Sequence, residues 1–114
     1  MSPFHLRMLE NATLSAGETG GVSGALDLGG FSELHLVITV QEAGDGESPR
    51  LRVKHAIVNE ESVYVDFETP VSVDLSVSGT VWVHVPAFTR WVCWFVEGAI
   101  ASSATVTLDA LAKG

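Results

Sequence analysis

The residues of this chain that could do chemistry are its histidines, serines, carboxylates and tryptophans. Their spacing argues against most of that chemistry. His5, His35, His55 and His84 are scattered, and no pair has helical i, i+4 spacing or the close Cys/His spacing of a zinc module. The better reading is hydrogen-bonded or surface histidine, with His35 and His84 on polar strand faces and His55 on an apolar one. No Gly-x-Ser-x-Gly elbow is present, and no motif sets a serine beside a histidine and a carboxylate. Gly20-Gly21-Val22-Ser23-Gly24 is glycine-rich but lacks the lysine and the following helix of a phosphate loop, so it reads as a loop or bulge. Glu42, Asp45, Glu47, Glu60, Glu61, Asp66 and Glu68 supply half of the 14 acidic residues. Asp45-Gly46-Glu47 departs from the EF-hand ligand pattern, so a solvated acidic rim is expected there rather than a calcium site. A hydrolase built on His84 and a nearby acid has little support. The expectation is a protein that is not an enzyme, with no metal and no cofactor.

Tryptophan is more informative. Trp82, Trp91 and Trp94 lie close together. In Trp91-Val92-Cys93-Trp94-Phe95-Val96 one alternating set is Trp91, Cys93 and Phe95, and the other is Val92, Trp94 and Val96. Both faces are apolar, whereas a sandwich strand normally gives one face to water. Three readings stay open: a central strand covered by the N-terminal segment, a subunit or partner interface, or a sugar-stacking platform. Arg90 stands where it can stack on Trp91 or pair with an acid. Arg50, Arg52 and Lys54 form the one basic cluster, and Arg52 and Lys54 fit cross-strand pairs with Asp66 or Glu68 better than a nucleic-acid patch.

The elements that must position these residues are strands. Alternation with period two runs through Glu33–Gln41, Leu51–Val58, Val63–Glu68, Val71–Ser78, Val81–Val85 and Thr105–Ala110. Turn signals separate the runs: Gly44–Pro49, the acidic Asn59–Ser62, Thr69-Pro70, Ser78-Gly79, Pro86 and the small-residue stretch Gly98–Ser103. The glycine-broken front third predicts one strand near Met8–Leu14 and another near Val22–Leu28, after an N-terminal arm over residues 1–7. No window holds a helical period, beyond a terminal turn at Ala110–Lys113. The prediction is an all-β chain: an antiparallel β-sandwich, jelly-roll-like or Ig-like, of about eight strands, as a single domain over residues 8–114.

Composition bounds the partners. The chain has 114 residues, 46% of them hydrophobic, enough for a core without staples. The formal net charge of −8 repels nucleic-acid phosphates and anionic lipid, so neither nucleic acid nor membrane is expected as a partner. The single cysteine, Cys93, permits no internal disulfide and lies in the most apolar stretch, where a buried, inert thiol is expected. Met1–Leu9 does not read as a secretory signal, and no apolar run is long enough to span a bilayer.

With those pieces placed, Gly24–Leu111 resembles a loose class of small β-sandwich proteins encoded in the structural gene clusters of tailed bacteriophages. The resemblance is carried by Leu26–Phe31 (Leu-Asp-Leu-Gly-Gly-Phe), Leu34–Val40 (Leu-x-Leu-x-Ile-x-Val), the Gly44–Pro49 loop and Leu51–His55. It continues through Thr89–Val92 (Thr-Arg-Trp-Val), the Gly98–Ser103 loop and Ala104–Leu108. The chain departs from the class in its extra aromatics at Trp91–Phe95 and its plain turn at Asn59–Val63. The resemblance implies a virion structural protein made in the host cytoplasm. The favoured form is a head decoration or cement protein on the capsid exterior that binds the major capsid protein or another virion protein. A neck or tail subunit is the alternative. It also implies a homo-oligomer, a trimer favoured, with the N-terminal arm laid over neighbouring subunits. The contact residues expected are Phe4, Leu6 and Arg7 on the arm, with Trp82, Arg90, Trp91 and Trp94. A glycan-binding module using surface tryptophans is the reading from another class.

Overall fold

The structure is a computed structural model, and it describes residues 4–15, 17–21, 23–100 and 103–114. Among the described residues eight strands form: β1 (Phe4–Leu14), β2 (Leu26–Asp27), β3 (Glu33–Glu42), β4 (Gly46–Ala56), β5 (Val65–Asp74), β6 (Gly79–Val85), β7 (Trp91–Ile100) and β8 (Ala104–Lys113). One 3-10 turn, Glu61–Val63, lies in the acidic stretch between β4 and β5. The strands make two antiparallel four-stranded sheets, ordered β1-β8-β3-β6 and β2-β7-β4-β5. Every connection changes sheet except β4 to β5, which gives the jelly roll of the two predicted topologies. Among the described residues no helix is long and apolar enough to cross a membrane.

The alternation read from the sequence sets the two faces of each strand. On β3, Leu34, Leu36, Ile38 and Val40 are buried, and they face Ala112, Ala110, Leu108 and Val106 of β8 across the ladder. Leucine opposite alanine at two successive inward rungs lets side chains of the facing sheet fill the space. From that sheet Leu51 and Val53 of β4 and Val92, Trp94 and Val96 of β7 close the same core. Each fully buried Leu or Val contributes about 1.5–3 kcal/mol over an exposed one.

Several expected boundaries move. Phe4–Arg7 are not an arm; they are the first rungs of β1, paired with Ala112–Asp109 of β8. Alternation explains this, because Phe4 and Leu6 fall on the inner side with Ala112 and Ala110. Phe4 stacks on Phe31 at 5.7 Å. Met1–Pro3 lie outside the described residues. β1 carries register shifts after Arg7 and after Leu9, and Asn11 there has φ 44°, a left-handed conformation that asparagine tolerates. Thr69-Pro70 does not split two strands. β5 runs through it, with Val71 opposite Val53 and Asp66 opposite the next residue, Lys54, so 67–70 are the extra residues of a bulge, of which Phe67 is buried in the core. Proline is tolerated because β5 is an edge strand. The strand expected at Val22–Leu28 shortens to Leu26–Asp27, and the C-terminal turn is strand to Lys113.

The outer side of β7 is covered by the chain itself. Thr19 bridges to Phe95; the Gly20 N–H donates to the Trp94 carbonyl at 3.1 Å and the Val96 N–H to the Glu18 carbonyl at 2.8 Å. The segment then leaves the ladder and folds over the sheet, where the Gly21 carbonyl accepts from the Cys93 thiol at 3.4 Å. Ala56, Tyr64 and Cys93 are buried there, with Ala25, Val63, Trp91 and Phe95 packed around them. Gly20 is required by this closure, because a Cβ at that position would lie 2.8 Å from Trp94 Nε1 and 2.9 Å from Cys93 Sγ. Gly20→Ala is therefore expected to destabilise the protein by about 1–3 kcal/mol. Urea unfolding followed by tryptophan fluorescence reads this directly, and a neutral midpoint would show that the loop does not press on β7.

Candidate functional site

The two sheets differ in what their outer faces show to solvent. On the β2-β7-β4-β5 sheet, charges complete the cover over β7. Arg52 Nη1 lies 3.4 Å from Asp66, and Lys54 Nζ lies 3.1 Å from Glu97. Arg52 Nε is 2.6 Å from Glu97 Oε2, an ion-pair distance but off the hydrogen-bond line. Asp66 was one of the two acids expected opposite Arg52 and Lys54. Glu97 was missed, and the signal for it is its place on β7 opposite Arg50, one outward step beyond Phe95. Lys54 also stands over the Phe95 ring at 5.2 Å, and the Tyr64 and Phe95 rings meet at 5.6 Å. The Tyr64 hydroxyl donates to Asn59 at 2.9 Å, and burial pushes its ionisation up to about 12.

Three expected contact residues belong to this closed side. Trp94 points between the sheets and is part of the core, so a contact role for it is corrected: its ring shares the inward parity of Val92 and Val96. Trp91 is half-buried, and Arg90 stacks over it at 5.3 Å. The Arg90 guanidinium also grips Asp27 through two bonds of 2.9 Å, from Nε to Oδ1 and from Nη2 to Oδ2. That grip, with the Gly29 N–H, holds the Asp27 carboxyl at about 2, against an ordinary 3.8.

Among the described residues the β1-β8-β3-β6 sheet has no such cover. Register places its outward residues in rows. One row is Arg7–Asp109–Val37–Trp82, and the next is His5–Leu111–His35–His84. Trp82 is 67% exposed, the largest aromatic so placed. With His5, Val37, Asp109 and Leu111 it lines a shallow groove of about 340 Å³. Asp109 is anchored at the floor by Arg7 Nε at 2.8 Å and His5 Nε2 at 3.0 Å. The Arg7 guanidinium, aided by His5, holds the Asp109 carboxyl below its usual value against the opposite pull of burial. His35 and His84 stack across β3 and β6 with ring centroids 4.6 Å apart. Of the expected contact residues, Arg7 and Trp82 stand at the two ends of one outward row, while Phe4 and Leu6 have the opposite parity, with Phe4 46% exposed at the sheet edge.

The remaining histidine is structural. His55 Nδ1 accepts the Thr89 N–H at 3.0 Å and its ring lies 4.7 Å from that of Phe67, and burial lowers its affinity for a proton. Among the described residues no three His, Cys, Asp or Glu side chains converge as metal ligands. A patch that strand reading missed lies at the β4–β5 end, where Ile57, Val58 and Val65 are exposed. Its signal was the continuous apolar run Ala56-Ile57-Val58 beyond the last inward rung.

No family model matches the sequence, and no curated protein matches it. Among solved structures the fold is similar to that of the SPBc2 prophage-derived protein YomS, with a TM-score of 0.57 and 14% identity. The match covers 97% of this chain and 96% of that one, so the two share their architecture from end to end.

The Asp27–Arg90 grip predicts an acid dependence. A carboxyl held below its unfolded value stabilises the fold fully above that value and loses the contribution as pH falls through the folded one. The window runs from 3.8 down to about 2. Asp27→Asn should flatten the fall of the urea midpoint across that window, measured beside the wild type. Parallel curves for the two proteins would show that the grip does not act on stability.

Proposed function

We propose that the chain is a non-enzymatic structural protein of a tailed-phage virion, with decoration of the capsid exterior as its specific role. The observation that carries the reading is the end-to-end likeness of fold to a prophage-derived protein. The motif resemblance over Gly24–Leu111 points the same way. The physics is compatible. An acidic chain is not disfavoured on a capsid exterior, away from packaged DNA. A sheet face that leaves a tryptophan bare offers the aromatic anchor on which protein contacts concentrate their energy. The outer face of the β1-β8-β3-β6 sheet is the surface assigned to the capsid, with Trp82, Val37 and Leu111 as apolar contacts and Arg7 and Asp109 as the polar rim. The protein is taken to bind as a small homo-oligomer.

Co-sedimentation of the pure protein with capsids lacking their decoration tests this. The expected result is saturable binding, weakened by roughly tenfold or more in Trp82→Ala. That variant should fold normally, because the ring makes no core contact. A folded protein with no affinity for such capsids, or for neck and tail assemblies, would sink the reading.

The same tryptophan favours one second reading, a glycan-binding module. A sugar ring would stack on Trp82 while its hydroxyls bond Asp109 and His5 in the groove. Glycan screening with tryptophan emission as readout decides this. The reading requires a sugar that perturbs the wild type and leaves Trp82→Phe unchanged; a flat response across the panel rejects it.

A further inference from the structure

Each of the two sheets has two edges, and three of the four are blunted. β1 carries Arg7 and Glu10 and is kinked by two register shifts. β2 is two residues long, and its Asp27 is tied to Arg90. β5 carries Asp66, Glu68 and Asp74, and Pro70 sits in its bulge. Charges, proline, bulges and shortness are the devices that keep sheet edges from pairing with other chains.

β6 has none of them. Gly79-Thr80-Val81-Trp82-Val83-His84-Val85 holds no Asp, Glu, Lys, Arg or proline. Its register with β3 runs unbroken from Val85 opposite Leu34 to Gly79 opposite Val40. Among the described residues no backbone hydrogen bond outside the β3 ladder reaches it. Its inward set is Val81, Val83 and Val85, and its outward set is Thr80, Trp82 and His84. Trp82 stands out on the outer face, and Val81, though of inward parity, is 42% exposed. Val81 lines a cleft of about 420 Å³ with Val40, Val73 and Val77, where the sandwich gapes between β5 and β6.

We propose that β6 is the self-association edge of this protein, pairing antiparallel with β6 of a second copy to join two four-stranded sheets into one of eight. The occupant follows from the strand itself. An antiparallel strand pair about a two-fold axis is self-complementary in its hydrogen bonds. The axis that pairs all seven residues passes through Trp82. It sets Trp82 against Trp82 on the outer face, Val81 against Val83, and Thr80 against His84. Two chains of net charge −8 repel one another, and an edge with no carboxylate is where they meet with least opposition. Each Val81 then packs against Val83 of the second copy and loses its exposure. The symmetry is two-fold, so the unit formed is a dimer and not the trimer that the family resemblance implies. The inference stands on the edge strand alone and holds whether or not the virion reading does.

Sedimentation velocity of the full chain across the micromolar range, without capsids, tests it. The wild type should run as a monomer–dimer equilibrium. Trp82→Lys and Thr80→Lys set like charges near the axis and should raise the dissociation constant by roughly tenfold or more. Val65→Lys changes the charge equally on the β5 edge and should leave it unaltered. Hydrogen exchange supplies a readout free of substitution: β6 amides of the wild type should slow as concentration rises, and β5 amides should not. A monomer throughout, a trimer, or a dimer that Trp82→Lys leaves intact or Val65→Lys weakens equally would each overturn the proposal.

Discussion

Strand β7 has no side to give to water, and much of the layout follows from covering it twice. Its inward set, Val92, Trp94 and Val96, is enclosed by the opposing sheet in the ordinary manner of a sandwich. Its outward set, Trp91, Cys93 and Phe95, needs a second layer that a two-sheet fold does not supply. The connection from β1 to β2 provides it. Glu18–Gly20 add one short run to the edge of β7, and the following glycines let the backbone lie directly on the sheet. The Asn59–Tyr64 turn closes the other flank, and the Arg52, Lys54 and Glu97 charges seal the rim.

The asymmetry of the molecule comes from the same place. Long connections are drawn to one sheet, and the other is left with a bare outer face. That face is not uniformly polar, as an unoccupied solvent face would be. It mixes threonines, paired histidines and an Arg–Asp contact with Val37, Leu111 and Trp82. An exposed tryptophan forgoes the stabilisation that burying its ring would give, and large aromatics left in water usually mark a surface that meets something else.

Much of the fold could be read from residues taken two at a time. The inward and outward sets of β3, β6 and β8 came directly from alternation, as did the all-β class. What alternation does not encode is pairing. Nothing in Phe4-His5-Leu6-Arg7 says that it lies beside Ala112–Asp109, so a segment that looks like an arm becomes an edge of the sheet. Bulges are similarly silent: Pro70 reads as a stop, but on an edge strand it only displaces the chain for a few residues. Trp82, Trp91 and Trp94 look equivalent in sequence. One rung of parity and one covering loop make the first a surface residue, the second half-buried and the third core. The groove was not legible at all, because His5, Val37, Trp82 and Asp109 come from four different strands.

The pairing of β1 with β8 also bears on how the chain reaches its fold. The His5–Asp109 contact joins residues 104 positions apart, and the rest of that ladder is of the same order. Three of the four strands in that sheet depend on β8 or on its neighbour β3 for their place. On the ribosome, therefore, β1 must wait for β8. Meanwhile β4 and β5, the one pair joined within a sheet, can zip locally. Such non-local closure is slow, and it leaves apolar strands unpaired for the longest part of synthesis. The charges and bulges of β1 are then a safeguard for the nascent chain as much as for the finished edge.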